Sequence, residues 1–306
     1  MPGGTGSTYD GLFGINGRRI YERVRRRGFS DVSRALYLIR MTVLDDENGI
    51  NLQEDRVPTS EVTPLANPAH TGRDRSGLNF YVARTLDDVL EAWQLVYVAY
   101  RRTELIDSNP FELHTMRQAV GPQTVVVTGC LGPLSVSTIS GYMDSPAGLP
   151  LDSVYPDELS QLRGTGRRLA EVGLFGDRRD HLNRSAEGLF ELMRFGYFYA
   201  MHGGADDIVI GIHPDHAPFY KRFFAFEQIG EARSYPTVKN NPVIPLRMDI
   251  RKVSALDPLP KGLRYFSENE LPARVFANRY NFDEGQVASS PIAQFLNYKK
   301  GAVRAA

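Results

Sequence analysis

The chain reads as an α/β domain in which one mixed, mostly antiparallel twisted sheet is flanked by helices, with extensions at both ends. Three observations predict this. Between residues 79 and 250 the segments run strand, helix, hairpin, strand, helix, strand, helix, strand, strand, an order that suits a mixed sheet better than a doubly wound parallel one. Leu131-Gly132-Pro133 joins two β-rich runs as a hairpin turn and makes them an antiparallel pair. The apolar run 207–212 has the composition of a buried strand.

The elements follow in order. Residues 1–77 form an arm and linker. A glycine-rich start leads to an arginine-dense stretch, 18–34, that runs into the apolar group 35–39. Either a basic amphipathic helix touching anionic lipid or a solvated arm fits this pattern. Pro58, Pro64, Pro68, Gly72 and Gly77 then punctuate a polar linker. The domain spans 78–252. Residues 79–86 alternate like a strand, and Asp87-Asp88 caps a helical run over 89–102 whose Val89, Leu90, Trp93, Val96, Tyr97 and Tyr100 recur at helical spacing. A weakly helical region around His114 precedes the hairpin strands, 124–130 and 135–143. Then come a strand over 167–175, an aromatic-rich helix over 185–202, the buried strand, a short helix over 217–224, and strands over 228–234 and 243–250. Residues 253–306 form a helical extension, with short helices near 268–278 and 292–298 that pack onto the domain.

Composition narrows the function. The 306 residues, 42% of them hydrophobic, suffice for a sizeable core. Thirty-six basic and thirty-six acidic side chains cancel, which removes any bulk electrostatic case for nucleic acid. The lone Cys130 has no partner for an internal disulfide. No apolar run reaches the ~20 residues of a membrane span, and the first residues lack the apolar core of a secretory signal. A cytoplasmic location is expected.

One stretch is specific. Residues 211–231, GIHPDHAPFYKRFFAFEQIGE, resemble the last helix and following strand of GNAT acyltransferases, with Tyr220 and Phe226 at characteristic places. The continuation to residue 250 is similar to one branch, the long-chain N-acyl amino acid synthases related to the N-acyl homoserine lactone synthases. Leu169-Ala-Glu-Val-Gly-Leu-Phe175 looks like the central strand of that branch, with Glu171 at its acidic position. Homoserine lactone synthases carry an arginine three residues after that glutamate. Here Leu174 occupies the place, with Arg178 and Arg179 as substitutes further on.

The resemblance implies transfer of a long acyl chain from a thioester to the amine of an amino acid. The amine must lose a proton, so a base is needed. On a period-two strand Glu171 shares a face with Leu169, Gly173 and Phe175, where desolvation raises its pKa; an ion pair with Arg168 is the alternative. Tyr220 is placed to protonate or stabilise the departing thiolate, unless it simply packs among Phe219, Phe223, Phe224 and Phe226. The donor's pantetheine arm is expected along the central strand, against the backbone of Val172, Gly173, Leu174 and Phe175. The following loop, GDRRDHLNRS, lacks the glycine-rich phosphate cradle of acetyl-CoA enzymes, and Glu187 would repel phosphate at the helix start. This favours acyl-phosphopantetheine on acyl carrier protein as donor, with acyl-CoA second and no bound cofactor. Arg178, Arg179 and Arg184, with Arg163, Arg167 and Arg168, make a surface for an acidic carrier helix, or a self-paired one given Asp177 and Asp180.

Arg101, Arg102, Tyr235 and Asn240 are the candidates for the acceptor carboxylate. Phe190, Phe195, Tyr197, Phe198 and Tyr199 wall an acyl pocket or fill a core. His213-Pro-Asp-His216 suits a strand-to-helix turn capped by Asp215 and gives no metal site without a third ligand. Three other readings stay open: a lactone-type signal synthase using S-adenosylmethionine, a CoA-dependent GNAT N-acyltransferase, and a non-catalytic module that binds acylated carrier protein.

Overall fold

The computed structural model describes residues 77–178 and 187–305; the arginine-dense stretch 18–34, Arg179 and Arg184 lie outside them. The strands are β1 (Asn79–Val82), β2 (Thr124–Leu131), β3 (Leu134–Met143), β4 (Leu169–Asp177), β5 (Asp207–Ile212), β6 (Glu227–Gln228), β7 (Arg233–Tyr235) and β8 (Asn241–Asp249). The helices are α1 (Leu86–Arg102), α2 (Pro156–Gly164), α3 (Glu187–His202), α4 (Ala217–Phe224), α5 (Ile250–Ser254), α6 (Lys261–Glu268), α7 (Glu284–Ala288) and α8 (Pro291–Ala305). Among the described residues the sheet order is β1-β2-β3-β4-β5-β8-β6, with β7 also paired to β8. Only β4 and β5 run parallel; the other pairs are antiparallel.

Several boundaries differ from the sequence expectation for local reasons. Helix α1 starts three residues earlier than the apolar spacing suggests, because Thr85 is its cap. The Thr85 hydroxyl accepts from the Asp88 amide at 3.1 Å, while the Asp88 carboxylate accepts from the Thr85 amide at 3.0 Å. Asp88 thus closes a capping box and does not itself cap. Helix α2 has no counterpart in the expected order, although Pro156 at its first turn, followed by Asp157 and Glu158, is a regular helix-start signal. The strand expected over 228–234 is split into β6 and β7. Their partner β8 carries Pro242 and Pro245, which have no N–H to donate and interrupt the ladder.

Helices cover both faces of the sheet. On one face α1 buries Val89, Trp93 and Val96 against Val126, Tyr142, Leu169, Leu174 and Val209. On the other, α3 comes so close that Cβ atoms added at Gly196 or Gly141 would lie 3.0 Å from Val172 and 3.2 Å from Tyr199. The C-terminal segment closes both layers. Phe282 stacks on Trp93 at 5.6 Å, and Ile292 and Phe295 join the same core. Phe276 meets Phe195 and Tyr199 on the α3 side, and Phe266 stacks on Phe224 at 5.4 Å. The helix expected near 268–278 lies earlier, as α6, and only a single 3-10 turn, Ala273–Phe276, follows Pro272. Among the described residues no helix is long and apolar enough to cross a membrane.

Trp93 ties these layers together. It is fully buried, stacks on Phe282 and donates from Nε1 to the Ser140 hydroxyl at 3.2 Å. Trp93→Ala is expected to lower the unfolding free energy by about 3–5 kcal/mol, through lost apolar contact and an unfilled cavity. Urea denaturation measures it. A loss under about 1 kcal/mol would mean that the C-terminal segment does not pack as described.

Candidate active site

The site forms where two neighbouring strands part. β4 pairs with β5 only from Leu169 opposite Asp207 to Glu171 opposite Val209. Beyond that point β4 continues along β3 to Asp177, and β5 continues along β8 to Ile212. Among the described residues, the backbone of β4 past Glu171 therefore has no strand partner on its β5 side. This places Val172, Gly173, Leu174 and Phe175 along the open split.

A β-bulge sits in the same stretch. On β3, Ser140 opposes Gly173 and Thr138 opposes Gly176, so β4 holds one residue more than its partner. Leu174 takes up the extra length at φ 48°, a conformation uncommon for a leucine. The bulge breaks the period-two alternation. Leu174 points into the core beside α1, and a Cβ at Gly176 would lie 3.0 Å from Val96 on that side. Phe175 is therefore turned to the opposite face from Glu171, not onto the shared face that strict alternation predicts. Leu169, Glu171 and Gly173 do share one face.

Glu171 is almost fully buried, at 4% exposure. One of its oxygens accepts from the Leu151 amide at 2.8 Å. Burial pushes its pKa up to about 8; the Leu151 hydrogen bond opposes the rise, and the Asp152 and Asp144 charges add to it. Both aspartates share the single positive charge of Arg163, which lies 2.6 Å from Asp144 and 2.7 Å from Asp152. Arg168 does not reach Glu171. It bonds the Gly203 carbonyl at 2.6 Å, and its own amide donates to Asp206.

Two tyrosines, Tyr142 and Tyr235, stand close to this carboxyl, with Tyr100 beside them and Tyr220 beyond it. Tyr142 lies directly opposite Glu171 in the β3–β4 register. Burial first, and then the Glu171 charge, raise the pKa values of both Tyr142 and Tyr235. Tyr100 of α1 is close enough to add to those shifts, and also to that of Tyr220. Burial holds Tyr220 at about 12, so it stays a phenol O–H at working pH. Its ring packs against Phe219 and Phe226 as well, so aromatic packing and a place in the site coexist. His114 packs at a tilt against Tyr100, ring centroids 4.9 Å apart, and is buried; desolvation and the nearby Lys299 charge push its pKa down to about 3, which keeps it neutral.

The other sequence candidates are dispersed. Arg101 and Arg102 are exposed; Arg101 donates to the Ile106 carbonyl at 2.9 Å and Arg102 bonds Asp177 at 3.0 Å, six residues along β4 from Glu171. Asn240 is exposed on the β7–β8 turn, where its amide donates to the Tyr235 carbonyl. Among the described residues, the arginines near β4 do not form one patch. Arg163 and Arg167 are committed to Asp144, Asp152, Asp207 and Asp249 at the start of the strand, whereas Arg178 lies past its far end, donating to the Ser135 carbonyl at 3.0 Å. Phe195, Phe198 and Tyr199 are core residues, and Phe190 packs on Phe219, Phe223 and Phe224. His213, not Asp215, caps the turn before α4. Nothing in the sequence marks Tyr100, Tyr142 or His114 as site residues: Tyr100 recurs at the core spacing of its helix, and Tyr142 and His114 stand in no motif.

The family model of the N-acyl amino acid synthase FeeM matches residues 91–249, just over half of the chain. The chain belongs to the FeeM family of N-acyl amino acid synthases. It is an acyltransferase with the GNAT fold. The structure of FeeM from uncultured soil microbes is 27% identical, with a TM-score of 0.51 over 57% of this chain and 92% of that one. The homoserine lactone synthase LasI is 12% identical, with a TM-score of 0.43 over 56% of this chain and 89% of its own. The CoA-dependent acyl-homoserine lactone synthase BjaI, solved with SAM and isopentyl-CoA, is 15% identical, with a TM-score of 0.45 over 65% and 90%. No match was found among curated proteins. The FeeM-family match includes Tyr100, Tyr142, Glu171, Tyr220 and Tyr235.

Proposed function

We propose that this FeeM-family N-acyltransferase joins a long-chain acyl group, delivered as a thioester on acyl carrier protein in the cytoplasm, to the amine of a free amino acid. The observation that carries the reading is Glu171: a buried carboxyl with a pKa near 8, at the point where β4 and β5 part. A base of that strength suits an aliphatic ammonium near neutral pH far better than an ordinary carboxylate does.

The thioester lies along the free edge of β4 past Glu171, its pantetheine amides pairing with backbone as an added strand would. The bound ammonium gives one proton to Glu171, directly or through water, and Glu171 passes it to solvent; the neutral amine then attacks the thioester carbon and gives its second proton to the same carboxylate. The N–C bond forms and the C–S bond breaks. The sulfur departs as a thiolate; the Tyr220 phenol, a weak acid at about 12, hydrogen-bonds to it more readily than it surrenders its proton. The proton held by Glu171 returns through solvent to the thiolate, and the carboxylate is regenerated.

The choice of carrier protein over CoA rests on the loop after β4, where glycines are few and Asp177, Asp180 and Glu187 stand among the arginines. Side-by-side kinetics with one acyl chain on the two donors test it. The expected result is a kcat/KM at least about tenfold higher for the carrier protein, and Arg178→Glu should slow that reaction and flatten its salt dependence. A wild-type enzyme that prefers acyl-CoA overturns the donor assignment. An organic extract of cells expressing the chain, examined by mass spectrometry, tests the product: N-acyl amino acids support the reading and acyl lactones overturn it.

A further inference from the structure

An acceptor amino acid brings a carboxylate as well as an amine, and the obvious cations do not serve it. Arg101 and Arg102 are exposed and engaged elsewhere, and among the described residues no lysine or arginine pairs with Glu171. The neighbours of Glu171 are instead neutral phenols. Tyr142 differs from the other three in one respect. Its side chain is buried at 2% exposure, and its hydroxyl has no partner of hydrogen-bond geometry, with Ser140 its polar neighbour on the same strand face. A buried hydroxyl left unpaired costs about 1–3 kcal/mol, so such a group is retained where something arrives to satisfy it.

Its position points to what arrives. A Cβ built on Gly173 would lie 3.9 Å from the Glu171 Oε1 and 3.9 Å from the Tyr142 ring. The missing side chain of Gly173 thus leaves a space bordered by the proposed base on one side and by Tyr142 on the other. The amine must enter from the face on which Glu171 stands, and in an α-amino acid the carboxylate is only two bonds from that amine.

We propose that Tyr142 determines acceptor specificity, its hydroxyl donating a hydrogen bond to the carboxylate of the amino acid while Glu171 receives the proton of the amine. The inference rests on the proposed function. Carboxylate recognition here is by a neutral O–H, and the acceptor class is the α-amino acid and not the simple amine.

Tyr142→Phe tests it, with the best acceptor among the standard amino acids and the amine that lacks only its carboxylate as probes. The variant is expected to raise the KM for the amino acid by about 10- to 100-fold, the range for a hydrogen bond to a charged group. The KM for the donor and the slow reaction with the carboxylate-free amine should stay within about twofold of wild type. Its thermal midpoint should equal or exceed that of wild type, since an unpaired buried hydroxyl is removed. An unchanged KM for the amino acid, or an equal loss with amino acid and amine, overturns the role of Tyr142 while leaving the proposed function standing. A wild-type enzyme that acylates no amino acid overturns both.

Discussion

Glu171→Gln is expected to lower turnover by about 10²- to 10⁴-fold, the usual worth of a positioned general base, and at the same time to make the protein more stable at pH 8. The first effect follows because glutamine keeps the volume and the hydrogen bond from the Leu151 amide but cannot accept a proton. The second follows from the direction of the pKa shift. The native carboxyl holds its proton until about pH 8, whereas its ordinary value is 4.5. Between those limits the native state binds a proton that the unfolded state releases, so this group's contribution is fully present at low pH and is lost as the pH rises through 8. At about 1.4 kcal/mol for each pKa unit, the rise from 4.5 to about 8 amounts to on the order of 5 kcal/mol. Glutamine has no such loss, and a gain of several degrees in Tm at pH 8, shrinking to nothing near pH 4, is expected. For the wild type, kcat/KM should climb with pH toward a plateau above about pH 8, and the variant should lack that limb. Retained turnover, together with parallel stability curves from pH 4 to 9, would show that Glu171 only fills space.

Adding a side chain at Gly173 is expected to remove activity without unfolding the protein. The first added carbon would meet Glu171 Oε1 and the Tyr142 ring at 3.9 Å, which is ordinary van der Waals contact, so alanine fits the empty site. Reaction, however, requires the amine and the thioester carbon to approach within about 3–3.5 Å beside the base, and a displacement of about 1 Å can cost 10²-fold. Gly173→Ala should lower kcat by about tenfold and Gly173→Val by about 10²-fold or more. Valine suits a strand better than glycine, which offsets crowding, so the Tm should move by no more than a few degrees. Single-turnover kinetics and thermal unfolding check both halves. Full activity in the valine variant would place the reacting atoms somewhere other than the split between β4 and β5.

What the residues determined alone was whatever depends on near neighbours in the chain. The apolar spacing over 89–102, the Gly132-Pro133 turn and the aromatic helix 217–224 each express a local preference, and α1, the β2–β3 hairpin and α4 lie where those preferences put them. Glu171 and Tyr220 were legible as candidates through the motif around them. The site itself depended on partners distant in sequence. That β4 leaves β5 at Glu171 is set by the strands on either side, which reach it from residues 134–143 and 207–212. The bulge at Leu174 exists only relative to β3, and it turns Phe175 away from the face that alternation gives it. Tyr142 reads as one more strand residue until the register sets it opposite Glu171. The desolvation that lifts the Glu171 pKa comes from the layers closed over it and from the loop that brings Leu151 to its carboxyl. Periodicity and turn chemistry act within a few residues and so are written in the sequence, whereas register, burial and the electrostatics that follow from them are settled only when the strands and helices meet.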